Sequence, residues 1–155
     1  MYQHTHNSSS KKREINICID TRALLGSGGV PQYTKHLIKN LDSEGKNFYL
    51  FCNSLKRLKD FESRFLKVFF RIPSKIFNLS LLFRGRPHIN EMVEKKLNKK
   101  IDLFILPNIN FWHSEGDKKI IIAHDLSFAI HSSFFCFRDR LWHRIIKPER
   151  LYKEA

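Results

Sequence analysis

The sequence contains no run approaching the roughly 18 to 20 uninterrupted apolar residues that a membrane-spanning helix needs. Its start, residues 1–13, is polar and basic and leads into no apolar signal-peptide core, so the expected compartment is the cytosol. Cysteine is scarce: Cys18, Cys52 and Cys136 are odd in number, far apart and in no CxxC pair. That argues against a disulfide framework or a thiolate zinc site and leaves three buried or unlinked thiols. Acid is in deficit as well, 15 Asp and Glu against 28 Lys and Arg, a net charge of +13. Such a balance favours polyanionic partners, whether nucleic acid, an anionic membrane face or a phosphorylated substrate. Charge alone does not choose among them, and a surface that is basic only for solubility stays open.

What the chain does have is enough apolar material for one domain: 42% apolar residues in 155, with 14 Phe. Residues 1–13 show no apolar periodicity and read as a loose leader whose His4 and His6 carry no metal-ligand pattern. Residues 14–155 read as the folded part. Ile15, Ile17 and Ile19 alternate with Asn16, Cys18 and Asp20, and the run stops at Gly26-Ser27-Gly28-Gly29, as a strand feeding a loop does. Val30, Tyr33, Leu37, Ile38 and Leu41 then recur at helical spacing, with Pro31 in the first turn where its missing N–H costs nothing.

Further on, residues 48–52 read as a short strand, 54–62 as a brief basic helix and 66–72 as a strand by alternation, with helical spacing through Phe61, Phe65 and Val68 as the competing reading. Pro73 starts a helix through Phe83, residues 84–87 break it, and a second amphipathic helix spans 89–97. Residues 102–106 and 119–123 are near-continuous apolar runs of the kind buried on both faces of a parallel sheet. Strands alternating with helices predict an α/β, Rossmann-like, doubly wound and mainly parallel sheet, with ligands at the carboxyl ends of the strands. The polar loops Pro107-Asn108-Ile109-Asn110 and His124-Asp125 fall at those ends.

The glycine loop offers backbone N–H groups and a helix amino-terminus to a phosphate or diphosphate. It is not a dinucleotide fingerprint, because the register from Gly26 puts Pro31 at the third glycine and the second strand ends in Asn53, where an acid is wanted. Nor is it a P-loop, since no Gly-Lys-Ser/Thr follows. His124, closing a strand, stands where an imidazole can bind a hydroxyl or move a proton, although a merely hydrogen-bonded histidine fits the same position. Zinc held by His124, His131 and His143 is disfavoured by spacings of 7 and 12. The segment 138–144 is basic and aromatic, which suits nucleic acid or a lipid headgroup, but Phe137, Leu141 and Ile145 at helical spacing predict a core-facing stripe. Lys56, Arg57, Lys59, Lys67, Arg71 and Lys75 beside Phe69, Phe70, Ile76 and Phe77 predict weak, salt-sensitive attraction to anionic lipid.

Four segments in order, IDTRALLGSGGVPQYTKHLIKNL, RIPSKIFNLSLLFRGRP, DLFILPNINFW and IIAHDLSFAIHSSFFCFRDRLWH, resemble glycosyltransferase family 4, the retaining enzymes of the GT-B fold. The similarity runs from Ile15 to Ala155. It implies one half of a GT-B fold, with Gly28 and Gly29 near the diphosphate of a nucleotide-sugar donor and His124 near the transferred sugar and the acceptor. Asp20, Arg22, Tyr33, Asn108 and Asp125 stand at matching positions and are expected to line or organise that site. The resemblance also implies a nucleotide-diphosphate sugar as co-substrate, no further cofactor, no metal, and a glycan or lipid-linked acceptor. The family would continue beyond Ala155 with another strand and a second Rossmann-like domain holding most of the donor. The expectation is therefore an amino-terminal, acceptor-side part that is inactive by itself, at the inner face of a membrane if peripheral, and without a specific nucleic-acid partner. Two other readings stay open: a non-catalytic module for a phosphorylated or sugar ligand, and a basic nucleic-acid-binding domain.

Overall fold

The computed structural model describes residues 13–55, 62–124, 135–153 and 155. Five parallel strands form one sheet in the order β3-β2-β1-β4-β5: β1 Ile15–Asp20, β2 Lys46–Asn53, β3 Leu66–Phe70, β4 Leu103–Leu106 and β5 Lys119–Ile121. The helices are α1 Gly29–Lys39, α2 Ser74–Arg84, α3 Ile89–Leu97, α4 Phe137–Ile146 and α5 Pro148–Lys153, and a 3-10 turn spans Arg22–Leu25. The alternation at 66–72 thus resolves as a strand. The helix expected at 54–62 falls largely on 56–61, outside the described residues.

Strand alternation divides the core between the two faces of the sheet. Ile17 and Ile19 of β1 join Phe48 and Leu50 of β2 and Ile38 of α1 on one face. Cys18, Tyr49, Phe51, Val68, Phe104 and Leu106 point the other way, where Phe77 and Leu81 of α2 and Ile89 and Val93 of α3 close over them. Helices on both faces make the sheet doubly wound. The second face is the thicker one, because it also takes Trp112, Ile146 and Leu151.

The two last strands depart from the expectation of burial on both faces. Leu103 and Ile105 of β4 are half-buried and Ile120 of β5 is exposed. Their apolar runs fit a covered strand, but β5 is an edge among the described residues and α1 lies over the centre of the sheet. The stripe expected on α4 differs too. Phe137, Leu141 and Ile145 are exposed, and Ile146 is the residue of this helix in the core. Trp142, one turn before Ile146, is 37% exposed like Ile145, and periodicity alone does not tell which residues of the helix are buried. Arg13, the last residue of the leader, ion-pairs Asp102 at 2.7 Å from an exposed position. No helix among the described residues is long and apolar enough to cross a membrane.

Candidate functional site

The winding of the sheet reverses between β1 and β4, and ligands of open α/β sheets bind in the crevice outside the carboxyl ends at such a point. The chain leaves β1 at Asp20, makes the 3-10 turn and reaches α1 through the glycine loop. Gly28 sits at φ 101° and ψ −158°, a conformation open to glycine and strained for side-chain-bearing residues. It is the N-cap of α1, so no side chain occupies the first N–H groups of the helix. A methyl group on Gly28 or Gly29 would meet nothing within 4 Å, which places the loop against open space. The positive end of the α1 dipole and its unclaimed amides are therefore accessible to an anion.

Beside this loop lies a cleft of about 170 Å³. Val30 from the first turn of α1 forms one side, and Asn108 and Ile109 from the loop after β4 form the floor with Ile122 and His124 from the end of β5. Phe135, Trp142 and His143 complete it from α4 and its lead-in. The His124 side chain is exposed. Its Nε2 lies 2.5 Å from the Pro107 carbonyl oxygen, which can only accept, so this nitrogen carries the hydrogen. In the neutral ring Nδ1 is then the acceptor, and no described residue partners it. Tyr33 meets the imidazole edge-on with ring centroids 4.7 Å apart, tying the second turn of α1 to the end of β5.

The expected site residues divide into two groups. Asn108 and His124 line the cleft, Tyr33 meets the His124 ring, and Gly28 and Gly29 immediately precede the lining residue Val30 in the chain. Asp20 and Arg22 do not line it; they are a buried ion pair beneath the loop, 2.7 Å apart. Arg22 Nε donates to both carboxylate oxygens, Nη2 donates to the Phe111 carbonyl, and the guanidinium lies 5.4, 5.8 and 5.9 Å from the ring centres of Phe51, Phe77 and Trp112. This pair fixes where the chain leaves β1. Asp125 lies outside the described residues, as does His131.

Sequence reasoning missed Trp142 and His143 as lining residues. The only signal was the aromatic pair itself in a basic helix. It also left open the thiols, of which Cys18 and Cys52 are buried and Cys136 is exposed. Burial, reinforced by the charge of Asp20, pushes Cys52 up to about 12 and Cys18 up as well, so neither ionises near neutral pH. Among the described residues no group of His, Cys, Asp and Glu is arranged to hold a metal ion. Comparison with family models, with curated proteins and with solved structures found no match to this chain.

Proposed function

We propose that this chain provides the acceptor-side wall of a retaining glycosyltransferase that uses a nucleotide-diphosphate sugar. The observation that carries the reading is an open glycine loop at the amino-terminus of α1, directly before Val30, which lines one cleft together with His124. An anion-binding end and a proton-handling group, side by side, suit a phosphorylated donor whose sugar meets a hydroxyl. The cleft, at about 170 Å³, is smaller than the roughly 300 Å³ of pockets that enclose a whole drug-sized ligand. It accommodates one ring-sized group, with the diphosphate running over the glycine loop and the nucleoside outside.

Within this scheme Gly28, Gly29 and Val30 present amides to the diphosphate, and the lone pair on His124 Nδ1 accepts a hydrogen bond from a sugar or acceptor hydroxyl. Asn108 supplies a polar contact from the floor. Trp142 offers an aromatic face of the kind that stacks on a sugar ring. Asp20 and Arg22 position the loop without touching ligand. The resemblance on which the enzymatic part rests lies in the segments 19–41, 71–87, 102–112 and 121–143, with the loop in the first and His124 in the last.

Saturation-transfer NMR with a panel of nucleotide-diphosphate sugars, the free sugars and a nicotinamide dinucleotide tests the reading. Nucleotide sugars should show transfer to the sugar ring and diphosphate-proximal protons, lost in a Gly29→Val, His124→Ala variant. Selective binding of the dinucleotide, or transfer that survives both substitutions, would remove the basis of the proposal.

A further inference from the structure

The second helix has apolar residues on two opposite sides. Phe77 and Leu81 are buried in the core, whereas Ile76, Leu79, Leu82 and Phe83 are 62%, 56%, 41% and 76% exposed. A helix apolar all round is ordinarily covered all round. Here the outward side instead forms a shallow groove of about 360 Å³, walled by Ile76, Leu79, Ser80, Phe83 and Arg84. Its 11 residues extend about 16 Å.

Charge identifies what covers it. Between Glu62 and Glu91 the chain carries Arg64, Lys67, Arg71, Lys75, Arg84 and Arg86 and no Asp or Glu. Arg71 and Lys75 stand at the start of α2, Arg84 and Arg86 at its end, all four exposed. Among the described residues none of these four is in an ion pair. A second copy docking face to face would oppose the same cations without an acid between them, which disfavours that contact. A bilayer with anionic headgroups satisfies both features at once, since apolar side chains enter the acyl boundary while flanking cations meet the headgroups.

We infer that the outward side of α2 is a docking surface for an anionic lipid bilayer, with Ile76, Leu79 and Phe83 as the inserted residues and Arg71, Lys75, Arg84 and Arg86 as headgroup contacts. This relocates the lipid-attracting patch that the sequence suggested. Phe77 is core, Phe69 and Phe70 are half-buried, and Lys56, Arg57 and Lys59 lie outside the described residues. The surface is independent of the crevice and of the reaction proposed for it.

Co-sedimentation of the full chain with vesicles of phosphatidylcholine alone, and with about one-third phosphatidylglycerol, tests the inference at low and high salt. The expected result is at least about 10-fold preference for the anionic vesicles at low salt, falling as salt rises. Lys75→Glu with Arg84→Glu should lower that binding roughly 10-fold or more, and Leu79→Glu with Phe83→Glu comparably, with unchanged thermal melts. An environment-sensitive dye on Leu79→Cys, in a Cys136→Ser background, should shift to the blue on anionic vesicles, and one on Lys39→Cys of α1 should not. Equal binding to both vesicle types, or equal dye responses at the two positions, overturns the inference. So does a lipid-free dimer that Leu79→Glu dissolves, which would give the surface to a second copy.

Discussion

Asp20 and Arg22, two residues apart at the end of β1, form a buried ion pair whose side chains are 3% and 6% exposed and whose charged atoms approach to 2.7 Å. Three aromatic rings surround the guanidinium, and Nη2, which also faces Asp20, donates to the Phe111 carbonyl in the loop after β4. The glycine loop starts from this anchor, so the pair holds the crevice in shape without entering it. Asp20→Ala should therefore cost about 3 to 5 kcal/mol, because an unpaired guanidinium stays behind in the core. Arg22→Lys should cost less but still weaken the fold, since an ammonium cannot reproduce the forked contact. Urea denaturation gives both values, and a loss under 1 kcal/mol for Asp20→Ala would contradict the anchoring role.

The two loop glycines should respond differently to the same substitution. Gly28 holds a positive φ, so Gly28→Ala is expected to destabilise by about 1 to 2 kcal/mol. Gly29 is the first residue of α1 with open space around it, so Gly29→Ala should be neutral or stabilising by up to about 1 kcal/mol. Gly29→Val keeps the fold but fills the approach to the amides, and should weaken phosphate binding. Paired urea melts and phosphate titrations check the pattern, which equal effects on stability would refute.

In a catalytically competent protein that includes this chain, His124→Ala should reduce sugar transfer by about 10²-fold or more, as expected for a positioned polar or proton-handling group. Its side chain is exposed, so the melting temperature should barely move. Steady-state turnover and calorimetry on the same preparation separate the alternatives. A variant that melts early at full specific activity would make His124 a structural residue.

Cys18 and Cys52 are pushed up by burial, Cys52 from 9.0 to about 12, so the folded state favours the protonated thiols. Their contribution to stability is complete below about pH 9 and is lost as pH rises from there towards the folded values, at no more than about 1.4 kcal/mol per pH unit per thiol. The parent should lose urea resistance between pH 8.5 and about 10.5 more steeply than a Cys18→Ala, Cys52→Ala double variant. At neutral pH a thiol reagent should label exposed Cys136 first and the other two only on unfolding. Parallel pH slopes for the two proteins, or fast labelling of three thiols, would contradict the burial argument.

Most of the fold was legible because its signals are local. Alternation of Ile15, Ile17 and Ile19, punctuation by Pro73 and Gly85, and helical spacing over 89–97 each reappear as the observed element within a residue or two. The parallel sheet was expected from strands alternating with helices, although β4 and β5 are joined by a loop without a helix. What escaped was which stripe of a helix faces inward. On α4 Phe137, Leu141 and Ile145 stay exposed while Ile146 is buried, and only the surface that α4 meets decides this. The same limit applies to α2, whose two apolar sides are equivalent in sequence until one packs. At the crevice, the loop and His124 were visible as strand-end residues. The burial of Asp20 and Arg22 was not, because it depends on Phe51, Phe77 and Trp112, which are distant in the chain.

We propose that the glycine loop and His124 together form the binding site for a nucleotide-diphosphate sugar. Amide chemical-shift mapping on the isotope-labelled chain, titrated with a nucleotide-diphosphate sugar and separately with inorganic diphosphate, tests it most directly. Diphosphate should move the amides of Gly28, Gly29 and Val30, and the nucleotide sugar should move these together with Asn108, His124 and the Trp142 indole. Shifts scattered over surface lysines and arginines, with the loop amides and His124 unmoved at saturation, would contradict it.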